Sequence, residues 1–150
     1  MHGFWLLVHF MGFSLWLGGG IATMLAGVTA KRFAPGERLA AYRLTGRIQS
    51  GLVAPGVIFT LVSGLVLTRP YMERDMTLGI AIMLVAGGIG ALVALFLSVP
   101  TAQRLGRLEL HARGELPEAF HALRKRQAIA ASIAGALALI AMLGGTVLRY

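Results

Sequence analysis

The chain has 150 residues, the size of one domain. Apolar residues make up 57% and charged residues 13%, with a mean hydropathy of +0.75; soluble domains carry roughly 25% charge, so a soluble globular fold is excluded. The net charge is +8 and cysteine is absent, which rules out disulfides, thiolate metal sites and cysteine nucleophiles. The basic residues fall in short segments between long apolar runs. That is how loops orient a membrane protein against anionic headgroups, so the lipid bilayer, and not nucleic acid, is the expected partner.

A helix needs about 20 apolar residues to cross the hydrocarbon core, and four segments supply them. The first runs over about residues 3–30. It is apolar almost from Met1 and lacks the basic start of a cleaved leader, so it is expected to be a retained first transmembrane helix. Within it, VHFMGFSLWLGGG places His9 among hydrocarbon side chains, about 9 Å along the axis from Gly3. Gly12, Phe13, Trp16, Gly20 and Thr23 follow at helical spacing and are expected to share its face.

The segment after it carries Lys31, Arg32, Arg38, Arg43 and Arg47. The second span covers about residues 48–68. Pro55 interrupts it, removing a backbone donor and freeing a carbonyl one turn earlier, so a kink is expected there. Thr60 and Ser63 can bond back to their own helix. The sequence RPYMERD is expected to end this helix at Pro70 and to form a short loop, Arg69–Met76, that makes helices 2 and 3 antiparallel neighbours. The third span covers about residues 77–99. A second basic segment follows, with Arg104, Arg107, Arg113, Arg124, Lys125 and Arg126. Within it ARGELPEAFHALRKRQ is expected to form a helical hairpin, broken at Gly114 and restarted at Pro117. The fourth span covers about residues 128–148.

Five and six basic residues in the segments after helices 1 and 3, against Arg69 and Arg74 in the other, put the two basic segments in the cytoplasm. The expected fold is an all-α integral membrane protein of one domain. It is an antiparallel four-helix bundle with the N-terminus and C-terminus both outside. Glycines such as Gly12, Gly19, Gly56, Gly64, Gly87, Gly88, Gly90, Gly144 and Gly145 serve either as packing seams or as room for a flat ligand.

No span contains Lys, Arg, Asp or Glu, and His9 is the ionisable residue that lies deep in one. An ionisable group at that depth is a functional-site candidate. The alternative is a neutral ring hydrogen-bonded to Thr60, Ser63 or a freed carbonyl. If His9 ligates something, haem iron suits it: haem needs an imidazole, a flat slot and apolar walls. A bare zinc or copper ion would want several N, O or S ligands. Met83 and Met142 fall at a similar depth and are candidates for a second axial ligand, as well as for ordinary packing. His2, at the surface, is a further candidate.

His9, Trp16, Gly18 and Gly19 in helix 1, with Arg47, Pro55, Thr60 and Gly64 in helix 2, resemble the pattern of HemJ-like protoporphyrinogen oxidases and the related CopD-type membrane domains. The resemblance covers about the first 70 residues. It implies haem b held by His9, with Trp16, Gly19, Pro55 and Thr60 around it, in a bacterial inner membrane. HemJ-like proteins also carry a lysine in the third helix and Asn-Glu near the start of the last; here helix 3 has no lysine and the chain reads LRKRQAIA. PTAQRLGRLELHARGELPEAFHALRKR instead resembles a bacterial family of four-helix membrane proteins with no assigned chemistry. Three functions stand open: a haem- or porphyrin-binding redox protein, an accessory subunit of a larger membrane complex or homo-oligomer, and a CopD-type permease for a metal ion or small molecule.

Overall fold

The computed structural model describes residues 2–72 and 76–146. Within these residues all regular structure is helical and no strand forms. Four helices result: α1 (His2–Arg32), α2 (Pro35–Tyr71), α3 (Leu78–Gly106) and α4 (Ala119–Thr146), each long and apolar enough to cross a membrane. Large apolar side chains stay exposed along all of them, among them Phe10, Leu25, Leu65, Phe96 and Leu143. Such a continuous apolar exterior suits contact with hydrocarbon.

Two boundaries differ from expectation at the basic end of the molecule. The segment between the first two spans is mostly helix, because α2 starts at Pro35 and runs for 37 residues. Pro35 suits the first turn, and Leu39, Tyr42, Thr45 and Gly46 recur at helical spacing as a buried stripe. Packing on that stripe extends the helix well beyond the apolar span. Likewise α3 continues past Val99 to Gly106, burying Thr101, Ala102 and Leu105. The expected hairpin around Gly114 is therefore a single connection, with Gly114 at φ 75° and α4 starting after Pro117, whose carbonyl accepts from Phe120 N at 2.9 Å.

Pro70 does not stop α2, which continues through Tyr71. One absent backbone bond in a last turn costs little, and the helix is about to end there. Glu73, Arg74, Asp75 and Leu148, which the sequence assigned to the short loop and the last span, lie outside the described residues.

Both central prolines follow a widened turn. Gln49–Val53 is π-helical just before Pro55, and Ala94–Ser98 just before Pro100. A proline ring clashes with the carbonyl four residues back; a π turn moves that carbonyl away, and such turns are a recognised cause of helix bends.

The helices associate as two pairs, α1 with α2 and α3 with α4. In the first pair the backbones cross in contact. A methyl at Gly12 would sit 2.7 Å from Thr60 N, and one at Gly56 would sit 2.7 Å from Trp16 N. In the second, a methyl at Gly144 would lie 3.0 Å from the Gly79 carbonyl oxygen. Without a hydrophobic drive in lipid, such close approach holds helices together by dispersion. The pairs join through a central core of Trp16, Val53, Val57, Ala91, Ala94, Val99, Ala134 and Ala138. Nearer the basic end, Ala30, Leu39, Tyr42, Leu105 and Phe120 form a second core. Toward the end where α1 begins and α4 finishes, α2 and α3 touch much less and the two pairs separate.

Candidate functional site

That separation opens a cavity of about 550 Å³ between the pairs, lined by all four helices. Its size is that of sites for cofactors and small organic ligands, which run to about 300–1,000 Å³. His2, Tyr71 and Thr146 stand at the terminal end of its lining, and Trp16 at its deep end. The walls are chiefly Leu, Phe, Met, Ile and glycine. The polar groups in it are few: His9, Thr60 and Thr68 beside the residues at the mouth. Thr60 and Thr68 spend their hydroxyl protons on their own helix, on the Gly56 and Gly64 carbonyls, each at 2.8 Å.

His9 is held by its inner nitrogen. Nδ1 lies 3.1 Å from the Thr60 carbonyl oxygen and 3.0 Å from Ser63 Oγ. A carbonyl can only accept, so in the neutral ring the proton sits on Nδ1 and is shared between these two oxygens. Ser63 donates its own proton to the Phe59 carbonyl. The ring therefore keeps a lone pair on Nε2, on a side chain that lines the cavity. An imidazole with Nδ1–H on a backbone carbonyl and Nε2 free is the form that ligates metals. Gly64 gives the ring room: a methyl there would lie 3.3 Å from His9 Cε1, close enough to push the ring by a few tenths of an ångström.

Of the residues singled out from sequence, His9, Trp16, Thr60, Met83 and Met142 all line this one cavity. Met83 packs beside Gly145, where a methyl would come within 2.9 Å of its Sδ. Met142 is 42% exposed and so divides its surface between the cavity and the outside of the molecule. Two of the residues are elsewhere. Gly19 is a seam residue, with Val53 at 2.7 Å from where its Cβ would be. Pro55 sits after the π turn of α2 and is not part of the lining. The face of α1 also differs in one residue. The buried stripe is Gly12, Trp16, Gly19 and Thr23, while Gly20 meets open space. Spacings of four, three and four residues keep a stripe straight on a 3.6-residue helix, and Gly20 falls one residue off it. His2, the surface candidate, joins the lining at the mouth.

The glycines divide between both roles. Gly12, Gly56 and Gly90 are seams, whereas Gly64, Gly87, Gly88 and Gly145 border the cavity, and Gly144 does both. Among the described residues no cluster of three or more His, Asp or Glu could hold a metal ion unaided. The groups in the lining that could hold a metal carried by a cofactor are the His9 imidazole and the thioethers of Met83 and Met142, among apolar walls.

A second polar cluster lies beyond Trp16, toward the basic end, and composition does not reveal it. Gln49 Nε2 donates to Thr23 Oγ1 at 3.1 Å, Gln127 Nε2 donates to Ser98 Oγ at 3.1 Å, and Ser98 Oγ reaches Gln49 Oε1 at 3.5 Å. One residue from each helix takes part, and all four are buried. Gln127 Oε1 has no hydrogen-bond partner among the described residues. Gln49 opens one π turn and Ser98 closes the other. The amides carry no charge and sit at the edges of the apolar runs, which hides them from a search for ionisable residues. Their common depth is the signal that could have found them.

Compared with known protein families, with curated proteins and with solved structures, the chain has no match.

Proposed function

We propose that the chain is an antiparallel four-helix transmembrane protein of the bacterial inner membrane that binds haem b or a related porphyrin in the cavity at its terminal end. Arg and Lys concentrate at the opposite end of the molecule, so the positive-inside rule turns that end to the cytoplasm and the termini and cavity outward. The observation that carries the reading is His9: its Nδ1–H is committed to the Thr60 carbonyl, and the ring lines an apolar cavity of about 550 Å³. Bound haem would supply one-electron chemistry. His9 would hold the iron and Met83 is the better shielded of the thioethers, being half-buried where Met142 is 42% exposed. Trp16 closes the deep end, which keeps water from the core beneath.

The test is an absorption spectrum of the purified protein in mild detergent, oxidised and reduced, before and after adding haemin. A Soret band is expected for the native chain. It should be lost in His9→Ala and restored there by free imidazole, with the elution profile from a sizing column unchanged. No band in the native chain, or an undiminished band in His9→Ala, overturns the proposal. Absence of pigment together with co-purification of a larger membrane complex would favour the accessory-subunit reading instead.

A further inference from the structure

Near the basic end α2 and α3 cross with their backbones in contact. A methyl at Gly46 would lie 3.0 Å from the Ala102 carbonyl oxygen, and one at Gly106 would lie 3.2 Å from Arg43 Cα. The absent side chains leave a groove of about 490 Å³ whose lining includes Arg43, Arg47, Ser50, Gln103 and Arg107. Arg43 and Arg47 are one turn apart on α2 and share a face. Arg107 directly follows the last residue of α3, next to the point where Gly106 meets Arg43. Three guanidinium groups of like charge therefore border one groove, and all are exposed.

Two of the other arginines at this end are engaged by the protein. Arg38 donates to the Ala30, Lys31 and Phe33 carbonyls, and Arg124 donates to the Tyr42 hydroxyl. The groove's lining contains no Asp or Glu. Its inner edge is polar: Gln103 Nε2 donates to Ser50 Oγ at 2.8 Å. Immediately beyond, Gly51 meets open space and Leu52 is exposed. The groove thus lies where charged surface gives way to the apolar belt.

We propose that this groove binds the phosphate-bearing headgroup of an anionic phospholipid, with the acyl chains on the neighbouring apolar surface of α2. Planar guanidinium forks match phosphate oxygens in pairs, and basic pockets between membrane helices are where such headgroups are held. A free phosphate shares the charge but has no use for the adjoining apolar edge.

Native mass spectrometry of the full chain, released from mixed micelles of phosphatidylglycerol and phosphatidylcholine in equal amounts, tests this. The native chain is expected to retain phosphatidylglycerol selectively. The variant Arg43→Gln/Arg47→Gln/Arg107→Gln should lose that preference by about tenfold or more. Arg104→Gln/Arg113→Gln/Arg126→Gln removes the same charge from outside the groove and should keep it. Should the first triple variant fail to fold, Arg43→Gln and Arg107→Gln singly are each expected to weaken the preference. Equal retention of both lipids, equal losses in both triple variants, unchanged preference in the single variants, or displacement of the lipid by inorganic phosphate alone would overturn the proposal.

Discussion

His9 illustrates how a single residue can satisfy two readings at once. The ring is hydrogen-bonded to Thr60 and Ser63, as a structural histidine would be. The same bonds orient it, because they occupy Nδ1 and leave Nε2 for a ligand. At this scale the glycines also separate by function. Gly12→Ala and Gly56→Ala each force a methyl to within 2.9 Å of the facing helix, much of it backbone that cannot swing away. Each is expected to destabilise the protein by about 1–3 kcal/mol. Gly20→Ala meets nothing within 4 Å and should be neutral or stabilising by up to about 1 kcal/mol, from helix propensity alone. Thermal unfolding in detergent, followed by tryptophan fluorescence, distinguishes the two sets.

At the scale of elements, the π turns of α2 and α3 have two consequences. They admit Pro55 and Pro100 without ending the helices, and they carry Gln49 and Ser98 into a shared interior. Gln49 uses both ends of its amide, bonding α1 through Thr23 and α3 through Ser98. Gln49→Leu should therefore cost about 1–3 kcal/mol, leaving Thr23 and Ser98 without that partner. Gln127→Leu forfeits its bond to Ser98 but also removes a buried carbonyl that has no partner among the described residues. Its cost should stay within about 1 kcal/mol, since deleting an unsatisfied group offsets the lost bond. Unfolding midpoints of the two variants, measured side by side, check the order; a larger loss for Gln127→Leu would contradict it. Arg38 belongs to this scale as well. In sequence it is one more positive charge, yet it caps the end of α1 by donating to the carbonyls of Ala30, Lys31 and Phe33.

For the whole molecule, the two ends differ in kind. The basic end is closed by a core around Tyr42, Leu105 and Phe120, and the terminal end is open around the cavity. The proposed orientation can be read directly, because the chain has no cysteine to interfere. Single-cysteine variants Met76→Cys and Arg113→Cys, both at exposed positions, can be probed in intact cells with a membrane-impermeant maleimide. Met76→Cys should label before lysis and Arg113→Cys only after it. The reverse pattern would place the cavity on the cytoplasmic side.

By itself the sequence determined the helical class, the number of membrane-length helices and the residue His9. Long apolar runs without charge and one imidazole inside them depend only on composition and order along the chain, as does the bias of Arg and Lys that argues for orientation. Thr60 and Ser63 were also legible as partners for the ring, because a hydroxyl or carbonyl is what an imidazole in hydrocarbon must find. What only the tertiary structure decided depends on which faces meet. Gly19 fell on a seam and Gly64 beside the imidazole, although both are glycines in apolar runs. Pro55 fell outside the cavity, whose lining on α2 begins at Thr60. Pro35–Ile48 and the last turns of α3 became helix where Leu39, Tyr42 and Leu105 found a buried partner in Phe120 from another part of the chain. Uncharged Gln49 and Gln127 formed one cluster because four helices brought them to a common depth. Periodicity and charge are local properties of a chain. Close packing is set by long-range contacts, so neither the seams nor the cavity could be assigned before the helices were placed against each other.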